Sequence, residues 1–144
     1  DMDSPLPCVC TTLRKAARAA TRLYDERLAD SGMTITQFAV LRNLAREGDL
    51  PLSRLADLLV MERTSLYRTL TPIEAHGWIS ITAGDHGRAK QASITPTGHD
   101  ALNRAKSAWE DTQKDIVGAI GAPAWQALEK QLSQLVETMR GKTQ

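Results

Sequence analysis

Strong charge of either sign is missing from this chain. Its 144 residues carry 18 Lys/Arg against 17 Asp/Glu, a formal net charge of +1. Any polyanionic partner must therefore be met by individually placed cations, not by a basic bulk. Even the central stretch from Pro51 to Thr95 holds only five Lys/Arg and four Asp/Glu. Cysteine is nearly absent: Cys8 and Cys10 are the two there are. One intervening residue makes a bond between them strained in Cα separation and side-chain direction, so they form no disulfide framework, and a reducing cytoplasm leaves them as thiols. Aromatic residues amount to 4%, and no apolar run approaches the roughly 18–20 residues of a membrane span. Asp1–Pro7 is short, acidic and polar, unlike a signal peptide, which makes the cytoplasm the expected compartment. There is no Gly-rich phosphate loop and no His-x-x-x-His or Cys-x-x-Cys spacing, and His76, His86 and His99 lie in no nucleophile motif. No enzymatic activity, metal or cofactor is expected, Cys-x-Cys with a histidine being weak evidence for a metal.

What is present is helical periodicity. From Val9 to Ala29, the residues Val9, Leu13, Ala16, Ala17, Ala20, Leu23, Tyr24 and Leu28 recur at three and four, one stripe of a long helix. Arg14, Arg18 and Arg22 line another face, read as solvated. Ser31-Gly32 breaks the pattern. Thr34-Ile35-Thr36-Gln37 reads as a capping box opening a second helix to about Glu47. Leu50–Leu52 suits a minimal strand, Ser53–Leu59 a short helix, and Arg63 to about His76 a further one, closed by Gly77 and carrying Pro72 inside. The period then falls to two at Trp78–Thr82 and Gln91–Thr95, with a long polar loop between. Thr95-Pro96 starts another helix, with the stripe Leu102, Ala105, Trp109, Thr112 and Ile116. Gly118, Gly121 and Pro123 are expected to interrupt it before a last helix bearing Trp125, Leu128, Leu132, Leu135 and Met139. These last two stripes read as a helix–helix seam. The length suits one domain, 1–144, with residues 9–31 and 96–140 as flanking helices and 34–95 as a central lobe.

Two short helices joined by a tight turn, then a hairpin with a long polar loop, is the order of a winged helix–turn–helix. The fold class expected is mainly α with a small β-hairpin wing. In such a lobe the second helix fits a DNA major groove, and its N-terminal residues meet base edges. Here they are Arg63, Thr64, Ser65, Tyr67 and Arg68, types that pair with guanine or contact bases and phosphates. The wing loop carries His86, Arg88 and Lys90, of which an Arg suits a narrow minor groove. The same architecture also serves as a protein-docking module without DNA affinity, so the order of elements leaves that reading open.

Thr36-Gln37-Phe38-Ala39-Val40-Leu41, Leu55-Ala56-Asp57-Leu58-Leu59, Arg63-Thr64-Ser65-Leu66-Tyr67-Arg68, Ile73-Glu74-Ala75-His76-Gly77-Trp78-Ile79 and Ile94-Thr95-Pro96-Thr97-Gly98 together resemble, in order and spacing, the MarR family of transcription regulators. The resemblance implies a homodimer built from the first and last helices, with paired winged lobes on double-stranded operator DNA, acting as a repressor released by an effector. It departs from the family in the wing, which there reads Asp-x-Arg. Arg88 matches the Arg, but His86 occupies the Asp position and Asp85 stands one residue early, so an Asp–Arg brace is in doubt.

The resemblance also bears on the effector. The organic-hydroperoxide-sensing branch carries a reactive Cys near the start of the first helix and a Tyr fourteen residues on that hydrogen-bonds the sulfur. Counted back from Gln37 without a gap, these positions fall on Cys10 and Tyr24. A second Tyr, one turn after the Cys in that branch, is replaced by Arg14. Cys8 is then a resolving thiol across the dimer or an exposed tail residue, and Cys10 a peroxide sensor or a small apolar residue of the dimer core. The alternatives are a small aromatic or phenolic ligand bound between dimer helices and lobe, which other members take, and, from a different class, a thiol peroxidase using Cys10.

Overall fold

The computed structural model describes residues 5–87 and 89–143. The elements are α1 (Val9–Leu28), α2 (Ile35–Glu47), β1 (Leu50–Pro51), α3 (Leu52–Leu59), α4 (Arg63–Ala75), β2 (Ile79–Thr82), β3 (Gln91–Ile94), α5 (Pro96–Ile120) and α6 (Ala122–Gly141). They fall into two compact units, Asp1–Trp109 and Glu110–Gln144.

Local chemistry explains most of the boundaries in the first unit. After α1, a single 3-10 turn ends at Gly32 in the left-handed region, φ 72°. The capping box at α2 is formed on both sides: Thr34 Oγ1 accepts from the Gln37 N–H at 3.2 Å, and Gln37 Oε1 accepts from the Thr34 N–H at 3.0 Å. A third bond comes from further away, as Asp25 Oδ1 on α1 accepts the Ile35 N–H at 2.8 Å. Val60 makes the turn between α3 and α4 in a left-handed conformation, φ 53°, unusual for a β-branched residue. Pro72 sits inside α4, where it leaves the Arg68 carbonyl without its usual helical donor.

The strands differ from the expected two-stranded hairpin. They form a three-stranded antiparallel sheet in the order β1-β3-β2. β3 is central, pairing Ile79↔Ile94 and Thr82↔Gln91 on one side and Leu50↔Ala92 on the other. The short chain between α2 and α3 thereby anchors the wing, helped by the Leu52 N–H donating to the Lys90 carbonyl.

Leu28, Met33, Phe38, Val40, Leu41, Leu44, Leu55, Leu66, Leu70, Ile73, Trp78, Ile79 and Ala92 form one buried cluster with Ala101 and Ala105 of α5. The start of α5 is built into the wing root. Thr95 Oγ1 accepts from the Gly98 N–H at 3.0 Å and donates to the Gly77 carbonyl at 2.6 Å, while the Thr95 N–H donates to the Trp78 carbonyl.

Two expectations for α5 need correction. The helix runs unbroken through Gly118, and the break falls at Gly121, φ 93°. One glycine inside a long helix costs only about 1 kcal/mol against alanine, whereas Gly121 adopts a conformation that side chains disfavour. Pro123 does not interrupt either, since it lies in the first turn of α6, where its missing N–H costs nothing. Of the stripe Leu102–Ile116, Ala105 is buried in the lobe's cluster, with Leu102 and Trp109 packed against it. In the second unit α6 has no buried residue, and Leu128 and Met139 are exposed.

Candidate nucleic-acid interface

α4 is two-faced. Leu66, Leu70 and Ile73 are buried, while Arg63, Thr64, Ser65, Tyr67 and Arg68 are all exposed. The arrangement follows from the helical period: one stripe supplies the core, and the N-terminal half of the other faces is left to solvent. Tyr67 is 46% exposed, which makes it no core residue.

The wing lies beside this helix. Tyr67, Leu70, Thr71, Glu74, Ile81 and Lys90 line one cleft of about 220 Å³ between α4 and the sheet, so Tyr67 and Lys90, far apart in sequence, share a site. Thr71 spends its hydroxyl proton on the Tyr67 carbonyl at 2.9 Å. His86 is exposed in the wing loop with φ 55° and ψ 42°, a left-handed conformation. Arg88 lies outside the described residues. At the other end of α4, His76 stacks on Trp78, ring centroids 4.2 Å apart and 13° between planes.

The thiols are elsewhere. Cys8 and Cys10 are both exposed, Cys8 as the N-cap residue of α1. No full capping hydrogen bond forms from its thiol, yet the Thr11 hydroxyl and then the Thr11 N–H hold the Cys8 thiol below its ordinary value, outweighing a small opposing effect of burial. Tyr24 is half-buried, and burial pushes its phenol up, so it stays a protonated donor. Cys10 and Tyr24 do not meet within one chain. Both lie on the single helix α1, and fourteen residues along a helix span about 21 Å.

A second cleft was not legible in the sequence. Phe38 and Arg42, one turn apart on α2, both lie against Trp109 of α5. The Phe38 and Trp109 centroids are 5.2 Å apart, and the Arg42 guanidinium carbon stands 4.5 Å from the Trp109 centroid. With Leu102, Arg46 and Lys106 they line a cavity of about 190 Å³. The spacing of Phe38 and Arg42 is visible in the chain, but nothing local links either to Trp109. Among the described residues there is no cluster of three or more metal-ligating side chains and no helix long and apolar enough to cross a membrane.

A two-faced helix presented beside a sheet and its polar loop defines the winged helix–turn–helix class. The MarR family matches residues 33–94. The chain is similar to the M. tuberculosis transcriptional regulator MosR, crystallised in complex with DNA, at 32% identity over 93% of this chain and 99% of that one, with a TM-score of 0.82. It shares its fold with NadR in complex with 4-hydroxyphenylacetate (21% identity, 92% and 95% covered, TM-score 0.74). The oxidized form of E. coli MarR has the same fold (18%, 94% and 99%, 0.71). No curated protein sequence matches the chain. The chain belongs to the MarR family of winged helix–turn–helix transcription regulators, a family of regulators and not of enzymes.

Proposed function

We propose that the protein is a homodimeric repressor that holds a pseudo-palindromic operator until an effector releases it. The observation that carries this reading is the presentation of α4, whose Arg63, Thr64, Ser65, Tyr67 and Arg68 are exposed together beside the wing. The N-terminal half of α4 enters the major groove, and His86, Arg88 and Lys90 meet the backbone and the adjacent minor groove. A DNA complex of the similar MosR supports the assignment. Dimerisation is supported by the apolar residues that one chain leaves uncovered, among them Val9, Ile120, Leu128 and Met139. Two lobes related by a twofold axis require half-site centres about 34–36 Å apart, one turn of DNA. Binding of the DNA upstream of its own gene, compared with random DNA across a salt titration, tests the reading. Equal affinity for both sequences would refute it.

For release we assign the thiol pair. Cys10 as thiolate attacks a hydroperoxide; the O–O bond breaks, the alkoxide leaves and takes a proton, and a sulfenic acid remains. Cys8 across the dimer, whose thiolate is favoured, then attacks that sulfur and expels hydroxide, which is protonated to water, or another thiol does so. Tyr24 serves Cys10 only from a partner chain whose α1 runs antiparallel. Operator binding before and after peroxide, in wild type, Cys8→Ser and Cys10→Ser, decides this; oxidised wild type that holds DNA as tightly as reduced protein ends it.

One observation favours a second effector reading. The cleft of Phe38, Trp109 and Leu102 offers an apolar floor rimmed by Arg42, Arg46 and Lys106, which suits a single aromatic ring carrying a carboxylate or phenolate. Salicylate that quenches the fluorescence of wild type but not of Trp109→Phe, and weakens operator binding, would support it.

A further inference from the structure

Helix α4 is fastened toward both ends and loosened between them. In its N-terminal half, Leu66 and Leu70 are buried in the lobe's core. At its C-terminus the Trp78 N–H returns to the Ile73 carbonyl at 3.2 Å, and the Gly77 N–H to the Glu74 carbonyl at 2.9 Å. Thr95 ties this end to the wing root through the Gly77 and Trp78 carbonyls. Between the two fastenings stand Thr71 and Pro72, both exposed. Pro72 has no N–H for the Arg68 carbonyl, and its ring crowds that oxygen. One residue earlier, the Thr71 hydroxyl donates to the Tyr67 carbonyl at 2.9 Å, and such back-bonding bends helices. Two consecutive carbonyls of the helical ladder, those of Tyr67 and Arg68, are thus perturbed together. Proline is the costliest residue inside a helix, and an exposed one contributes little apolar burial to offset that cost.

We propose that Thr71 and Pro72 are positioning residues, which set a bend in α4 that aims Arg63, Thr64, Ser65 and Arg68 at base edges. They thereby carry part of the discrimination between operator and other DNA. The proposal rests on the operator-binding reading above, with the N-terminal half of α4 in the major groove. Sharp bends at proline exceed about 20°. Arg68 and Arg63 precede Pro72 by four and nine residues, about 6 and 14 Å along the axis. A bend of about 20° displaces Arg68 by about 2 Å and Arg63 by about 5 Å relative to a straight helix. Hydrogen bonds tolerate only about 0.5 Å in donor–acceptor distance, so even a quarter of the bend decides whether Arg63 meets a base edge. Phosphate contacts tolerate more, because charge attraction falls off slowly with distance. The bend therefore bears on which DNA is held more than on whether DNA is held.

The test measures affinity for operator and for random DNA, with melting by circular dichroism, in wild type, Pro72→Ala, Pro72→Gly and Thr71→Val. Alanine and glycine both return the missing N–H, but alanine favours the straight helix and glycine leaves the axis free to bend. P72A should lose about tenfold of the operator-to-random ratio, the scale of one base contact, with the loss on the operator side. P72G should keep the ratio within about twofold of wild type, less than one such contact, although it melts below P72A. T71V, with the proline in place, should lose about threefold, a fraction of the same contact. Stability and discrimination then run in opposite orders in P72A and P72G, which a merely structural role would not produce. A P72A or T71V protein that keeps the wild-type ratio overturns the proposal alone, and so does a P72G ratio no better than that of P72A. A wild type that binds both DNAs equally overturns the operator-binding reading, and this proposal with it.

Discussion

Gly98→Ala is expected to destabilise the protein, the reverse of what that exchange does in most helices. Gly98 lies in the first turn of α5, with an ordinary helical backbone. On propensity alone, alanine there should gain about 0.5–1 kcal/mol. But a Cβ at this position would overlap the Trp78 carbonyl and stand 2.9 Å from Ile94 Cγ1. The obstacle is backbone, not the free end of a side chain. To yield, the Trp78 carbonyl must leave the Thr95 N–H that it accepts at 3.0 Å, and the Gly77–Thr95 bond beside it is strained as well. Overpacking of this kind costs about 1–3 kcal/mol, and an amide left unpaired adds about 1–3 kcal/mol. After subtraction of the propensity gain, the net loss is about 1–5 kcal/mol. For a chain of this size that corresponds to a Tm lower by about 2–20 °C. Circular dichroism melts at one fixed protein concentration measure it, the concentration mattering because a dimer's stability depends on it. A Tm equal to or above wild type would refute the close approach of α5 to the wing root.

Four further outcomes are expected. Arg68→Ala should narrow the gap between operator and random DNA by about 1–3 kcal/mol, read by anisotropy titration. Arg88→Ala should weaken both and lower the slope of log affinity against log salt by about one unit; if both variants bind like wild type across the titration, the docking of α4 and wing is wrong. The Cys8 thiol, held low by Thr11, should be alkylated by iodoacetamide at a pH below that of an ordinary thiol. Thr11→Val should move that pH upward, and peptide mass spectrometry would show it; no upward move would refute the role of Thr11. Light scattering at micromolar concentration should give a dimer, and a monomer near 16 kDa would sink the quaternary proposal.

The sequence disclosed what depends on local chemistry. Thr34 and Gln37 announce the start of α2, Thr95-Pro96 that of α5, and the change of period at Trp78 the sheet. It misled where one residue type has two meanings. Gly118 and Gly121 look alike in a string of letters, but only Gly121 takes a positive φ. The exposed residues of α4 could be read in part from periodicity, because a helix that buries Leu66, Leu70 and Ile73 must turn Thr64 and Arg68 outward, while Arg63 is exposed as the first residue of the helix. The cleft at Trp109 could not, since Phe38 and Trp109 are joined by packing alone across seventy-one positions of sequence. The Asp25 bond to Ile35 was hidden for a similar reason: a lone carboxylate on a helix rich in charge carries no mark of the amide that it meets. Cys10 and Tyr24 lie fourteen residues apart on one helix, so any meeting between them needs a second chain, which one sequence does not display.

The central place of β3 has an evolutionary consequence. Because the strand is gripped from both sides, through Ala92 to Leu50 and through Gln91 to Thr82, the register of the sheet is settled before the loop of residues 83–90 begins. That loop can lengthen, shorten or be exchanged by recombination without shifting an apolar side chain of the sheet to the wrong face. On the docking proposed above, preference for the DNA backbone and minor groove can thus drift at the wing while α4, whose Leu66, Leu70 and Ile73 are buried, keeps its base preferences. A lineage of such regulators can vary this loop while the Lys90 carbonyl, which holds the Leu52 N–H, stays part of the sheet's anchor.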